Sequence, residues 1–245
     1  MALPILETAT YELTLPSADI VVKYRPFLVK EEKVLLQALE TQDDKEIKNA
    51  IKEIVNTCTF GSLDASKIPT FDLEYVFLQI RSKSVGEVAN VRLLCQDDKE
   101  TYVNTEVDLT KVEVQVDDKH TNNIIIDEDK NIGLVMKYPT IDTVDPTLNT
   151  KGLKTAQLFD MIIKCIDSVY EGETQHKVSD YSKEEMNKFL ESLDRKAFDK
   201  INNFFETMPQ LRHEVEIENP KTKVKSTVVM KGAQDFFVLP SLTTA

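Results

Sequence analysis

Val103-Asn104-Thr105-Glu106-Val107-Asp108-Leu109, followed by Val112-Glu113-Val114-Gln115-Val116, alternates apolar and polar residues with a period of two. That period puts the apolar set on one face of an extended chain and predicts half-buried strands. Working outward, the β signal runs from Val88 to Tyr138, divided by acidic turn clusters at 96–100, 117–123 and 127–131 and closed by Tyr138-Pro139. Such spacing predicts a meander of antiparallel hairpins. On both sides the period changes to that of a helix. Upstream, Val34, Leu35, Leu39 and then Ile47, Ala50, Ile51, Ile54 and Val55 recur at three- and four-residue spacing, predicting two helices joined near 41–45. The segment Phe71 to Ile80 is apolar on most sides and fits either a buried helix or a core strand. Asp72 and Glu74 at its start and Arg81 and Lys83 at its end favour the helix through its dipole.

Downstream, Leu153, Ala156, Phe159, Ile162, Ile163 and Ile166 predict one long amphipathic helix. Ser182 and Glu185 have the spacing of a capping box, with Met186, Phe189, Leu190 and Leu193 as the stripe behind it. Asp194 can cap a further helix carrying Phe198, Ile201, Phe205 and Met208, which Pro209 ends. Glu214–Glu218 and Lys223–Met230 alternate around Asn219-Pro220, a hairpin signal. The expected fold is therefore α+β: N-terminal helices with an antiparallel β-meander over 1–145, then a C-terminal helical unit over 146–245 ending in a β-hairpin, with the boundary near Asp145.

Composition limits the functions open to this fold. A chain of 245 residues exposes roughly 11,000 Å² folded against about 40,000 Å² unfolded, enough to stabilise a core without staples. Thirty basic against 42 acidic residues give a net charge of −12, which repels phosphate backbones and anionic lipid. Neither nucleic acid nor membrane is an expected partner. With six glycines and neither G-x-G-x-x-G nor G-x-x-x-x-G-K-[ST], no phosphate cradle of those kinds exists. Cys58, Cys95 and Cys165 are odd in number and isolated, which fits a reducing cytoplasm better than a disulfide framework or a zinc cluster. Residues 1–15 lack a basic leader region, and no apolar run approaches a membrane span, so a soluble, unprocessed protein is expected.

Catalytic patterns are weak. His120, His176 and His213 lie in polar contexts and no G-x-S-x-G is present, so exposed polar histidines are the simpler reading. Asp127-x-Asp129-x-Asn131 copies the first ligands of a calcium loop, yet Ile132 replaces its glycine and Tyr138 its bidentate glutamate. A solvated turn explains it better. Lys221, Lys223, Lys225 and Lys231 form the one concentrated basic stretch, read as a solvated face blunting an edge strand, with the first three on one face. Cys95 precedes an acidic turn where a zinc ribbon would begin, but partner ligands are missing. No catalytic, metal or cofactor residue is assigned. A hydrolase or metal enzyme with a scattered site is the rival class, and would gather His176 or His213 with carboxylates in a deep pocket or hold zinc or calcium.

What remains is apolar material outside the predicted cores. Tyr24, Arg25, Pro26, Phe27 and Leu28 precede a helix, either as a staple against the core or as an anchor offered to another protein. Phe236 and Phe237, in Gly232-Ala233-Gln234-Asp235-Phe236-Phe237-Val238, pose the same alternative.

Lys23-Tyr24-Arg25-Pro26-Phe27-Leu28-Val29-Lys30-Glu31-Glu32-Lys33 resembles the opening signature of the baseplate hub assembly proteins of T-even-type contractile-tailed phages. Cys58-Thr59-Phe60-Gly61, Phe71 to Tyr75, Arg81 to Glu87, Tyr138-Pro139-Thr140 and Gly232 to Phe237 follow in the same order. The resemblance spans nearly the whole chain. It implies a non-enzymatic protein, without cofactor, that helps to assemble the central hub of the tail baseplate, as an assembly factor or a minor hub component. It implies hub and tail proteins as partners, in the host cytoplasm during assembly or in the virion tail baseplate. Relatives place paired cysteines in the two hairpins, whereas this chain keeps only Cys95 in the first and has none from Arg212 to Lys231. The contacts implied for Tyr24–Leu28, Phe236 and Phe237 are those of apolar anchors in a charged rim.

Overall fold

The computed structural model describes residues 7–41, 43–143 and 155–232. Its strands and helices divide into two units, 1–115 with 210–245, and 116–209. The boundary expected near Asp145 falls in 144–154, outside the described residues.

The first unit opens with β1 (Tyr11–Thr14) antiparallel to β2 (Val21–Tyr24), with Leu13 opposite Val22 and Tyr11 opposite Tyr24. Three helices follow: α1 (Val29–Thr41), α2 (Asp44–Cys58) and α3 (Thr70–Val85). Asp43 starts α2 by accepting the Lys45 N–H at 2.8 Å. The apolar run 71–80 is the helix that its end charges favoured, buried on most of its circumference at Phe71, Leu73, Val76, Phe77, Leu78 and Ile80. Asp72 within it is fully buried and takes hydrogen bonds from the Ser17 N–H and hydroxyl.

The strands 88–136 do not make one sheet. β3 (Val88–Leu94) and β4 (Tyr102–Asp108) form a hairpin. β5 (Glu113–Gln115) joins β10 (Gln210–Glu218), which also pairs with β11 (Lys225–Lys231). The terminal hairpin thus completes a three-stranded sheet of the first unit. Leu78, Ala89, Val91, Val107, Leu109, Leu211, Val215 and Met230 meet in its core. Of the predicted lysine face only Lys225 lies in strand with Lys231; Lys221 and Lys223 sit in the turn, because Asn219 to Val224 curl to close the hairpin.

The second unit is a four-stranded meander with helices: β6 (Asn123–Asp127), β7 (Ile132–Met136), α4 (Thr155–Cys165), β8 (Ile166–Glu171), β9 (Thr174–Lys177), α5 (Lys183–Glu191) and α6 (Arg195–Thr207). The helix expected to reach Ile166 ends at Cys165, and Ile166 opens β8. Both predicted caps are present: the reciprocal Ser182/Glu185 box, and Asp194 accepting the Ala197 N–H at 2.7 Å. Gly133 lies opposite Tyr170, and a Cβ there would strike the Tyr170 hydroxyl and the Ile124 carbonyl. Ile124, Leu134, Ile162, Ile166, Ile201 and Phe204 fill the core.

Candidate protein-binding site

The segment after β2 is built around a buried charge pair. Arg25 and Glu31 have side chains only 11% and 7% exposed and meet at 2.8 Å. The Arg25 guanidinium also donates to the Pro26 carbonyl at 2.8 Å, and Glu31 accepts the Leu28 N–H at 2.7 Å, so Glu31 caps the start of α1 while neutralising Arg25. Burial alone would raise the Glu31 carboxyl, but the hydrogen bonds from Arg25 and Leu28, with the charges of Arg25 and Lys30, hold it below the usual range. Two further bonds tie the segment down. The Arg25 N–H donates to the Cys58 carbonyl at the end of α2 at 2.9 Å, and the Phe27 N–H to the Ser84 hydroxyl near the end of α3 at 2.9 Å.

This pinning sorts the predicted anchor residues. Tyr24 is interior at 3% exposure, and burial with the nearby Tyr75, Tyr11 and Glu87 pushes its hydroxyl up to about 12. Arg25 is likewise buried, so these two form the base of the site rather than its surface. Pro26 and Phe27 are half-buried. Leu28 is 39% exposed, and Val29, which the sequence reading left out, is 79% exposed. Phe236 and Phe237 lie in 233–245, outside the described residues. The two tethering points carry apolar side chains of their own. Phe60, beyond Cys58, is 59% exposed and held at φ 57°, a conformation that costs a non-glycine residue of order 1 kcal/mol. Val85, beside Ser84, is 53% exposed. A signal for Phe60 existed in the phenylalanine before Gly61 just past a helix end, where a left-handed turn throws a side chain outward.

His120, His176 and His213 are half-buried rather than exposed, and the first two have side-chain hydrogen-bond partners. His120 bridges the Thr207 and Tyr138 hydroxyls at 3.0 Å and packs on Tyr138 and Phe204, while His176 meets the Tyr181 hydroxyl at 2.6 Å. Asp127 accepts the Lys130 N–H at 3.0 Å within the β6–β7 turn. All three cysteines are buried and free, and burial raises Cys58 to about 11 and Cys165 to about 12, leaving protonated thiols at neutral pH. Among the described residues no group of three or more His, Cys, Asp or Glu is placed to hold a metal.

The two hairpin tips are joined instead by hydrogen bonds. Asn219, 1% exposed, donates to Asp97 at 3.0 and 3.1 Å and to Asp98 at 3.0 Å, and the Thr222 hydroxyl donates to Asp97. Bonds from Thr101, Asn219 and the Glu100 N–H hold Asp98 well below the ordinary carboxylate range, and those from Thr222 and Asn219 lower Asp97. Lowered folded-state values stabilise the clamp above the ordinary aspartate pKa and release it as pH falls through them. Asn219→Ala is expected to cost about 2 kcal/mol in a denaturant melt at neutral pH and to weaken the acid dependence of stability; an unchanged melt and acid profile would remove the clamp from the account.

A family model described as T4 bacteriophage base plate protein matches residues 8–238. The chain belongs to the T4 bacteriophage base plate protein family. No significant match was found among curated proteins or among solved structures. Family membership gives this base plate protein a structural or assembly role in a phage baseplate, in association with other baseplate proteins and the virion tail. Among the described residues no helix is long and apolar enough to cross a membrane.

Proposed function

We propose that this base plate protein is a non-enzymatic, chaperone-like assembly factor for the central hub, which binds hub proteins in the host cytoplasm through the tip formed by Phe27, Leu28 and Val29 with Phe60 and Val85. The observation that carries this reading is the exposure of Leu28 and Val29 on a backbone fixed by the buried Arg25–Glu31 pair. Ordering a flexible loop at an interface costs free energy; a tip already fixed by Glu31, Cys58 and Ser84 avoids most of that loss. The net charge of −12 keeps the surrounding surface soluble while the client's apolar face is covered. Phe236 and Phe237 are kept as further proposed anchors.

A permanent hub subunit is separable from an assembly factor by composition. Mass spectrometry of purified particles is expected to find the protein absent or far below the hub proteins, although it is abundant in the infected-cell lysate and co-purifies there with hub proteins. Stoichiometric recovery from particles would make it a permanent subunit.

A further inference from the structure

Arg81, in the last turns of α3, has no hydrogen-bond or ion-pair partner among the described residues, and its Nη1 atom is completely buried. The contrast with Arg25, which spends its donors on Glu31 and the Pro26 carbonyl, is direct. Among the described residues the two other buried unpaired atoms carry less weight: Arg212 still reaches Glu214 through Nη2 at 2.9 Å, and Ser226 is a single neutral hydroxyl. Glu87, the acid that follows α3 in the chain, is paired with Lys83. Burial pulls the Arg81 guanidinium below its usual pKa, with no opposing charge or hydrogen bond to offset it. A guanidinium nevertheless stays charged, so this one is a partly dehydrated cation without an anion.

Ser84 and Val85 lie three and four residues beyond Arg81, on the same side of the helix. Ser84 holds the Phe27 N–H and Val85 is exposed, so Arg81 shares a helix face with residues of the tip. We propose that Arg81 receives a carboxylate carried on an apolar segment of another baseplate protein, whose neighbouring side chains cover Leu28, Val29 and Val85. The planar fork suits a carboxylate bidentately, and its apolar flank favours an acid embedded in an apolar segment over a fully hydrated free anion. A nucleic-acid phosphate is disfavoured by the overall charge of −12. Of the Arg81 guanidinium nitrogens only Nη1 is completely buried, so a carboxylate reaches the Nε–Nη2 edge of the fork without opening the core.

The inference rests on the proposed hub-binding reading and is tested by titrating the purified full chain with purified baseplate proteins of the same phage. Arg81→Met is expected to bind at least about tenfold more weakly with an unchanged or higher melting temperature, because it removes an uncompensated charge and keeps the bulk. Arg81→Lys should fall between the two. Raising the salt concentration should weaken the wild type more steeply than Arg81→Met, and one Asp→Asn or Glu→Gln substitution in the partner should reproduce the loss without adding to that of Arg81→Met. Equal binding by wild type and Arg81→Met, unfolding of the Arg81→Met chain, or full competition by inorganic phosphate would each overturn the inference while leaving the hub-binding reading in place. Failure of the wild type to bind any baseplate protein would overturn the hub-binding reading and this inference with it.

Discussion

Glu31→Ala is expected to destabilise the first unit by about 3 kcal/mol, because it leaves the Arg25 guanidinium buried without its anion and the Leu28 N–H without its acceptor. Denaturant unfolding followed by circular dichroism measures this directly. The double variant Arg25→Met with Glu31→Met should regain most of the loss, since an apolar pair of similar volume carries no desolvation cost. The pH dependence follows from the sign of the shift. The folded-state value of Glu31 lies below its ordinary 4.5, so its contribution is complete above that pH and is lost as pH falls through the lower folded value. Glu31→Ala should therefore flatten part of the acid limb of the stability curve. An unchanged stability at neutral pH would mean that the pair does not hold the tip.

Leu28→Ser combined with Val29→Ser is expected to have the opposite profile, with stability within about 0.5 kcal/mol of wild type and hub-protein affinity lower by about thirtyfold or more. Both side chains face solvent, and the Leu28 N–H that Glu31 accepts belongs to the backbone, which serine preserves. Titration calorimetry against hub proteins reads the affinity, and a denaturant melt of the same sample reads the fold. Loss of stability in the double variant would place Leu28 and Val29 in the core and end their role as anchors. Together the Glu31 and Leu28/Val29 substitutions separate the base of the tip from its surface.

That separation was only half legible in the sequence. The local signals held: the Ser182/Glu185 box, the Asp194 cap and the dipole charges of α3 act within one helical turn, where sequence distance is spatial distance. The pairing of Val21–Tyr24 with Tyr11–Thr14 carried no local signal. β8 was hidden because Ile166 continues the helical spacing of Ile162 and Ile163, while the buried residue two positions on, Ser168, is polar and adds no alternation. The pairing of β5 with β10 joins residues separated by the whole second unit, and no local pattern encodes it. For the tip, apolar content marked Tyr24 to Leu28, but the strand pairing that turns Tyr24 inward and the bonds to Glu31, Cys58 and Ser84 that fix the following backbone join residues distant in sequence or carry no apolar signal.

The tip, and not the second unit, is the surface proposed to meet a sister baseplate protein. Hydrogen–deuterium exchange of the complex with that protein, compared with the free chain, tests it most directly. New protection is expected at 27–33, 58–62 and 83–88, with 116–209 unchanged. Protection confined to 116–209, with the tip exchanging as in the free chain, would contradict the account.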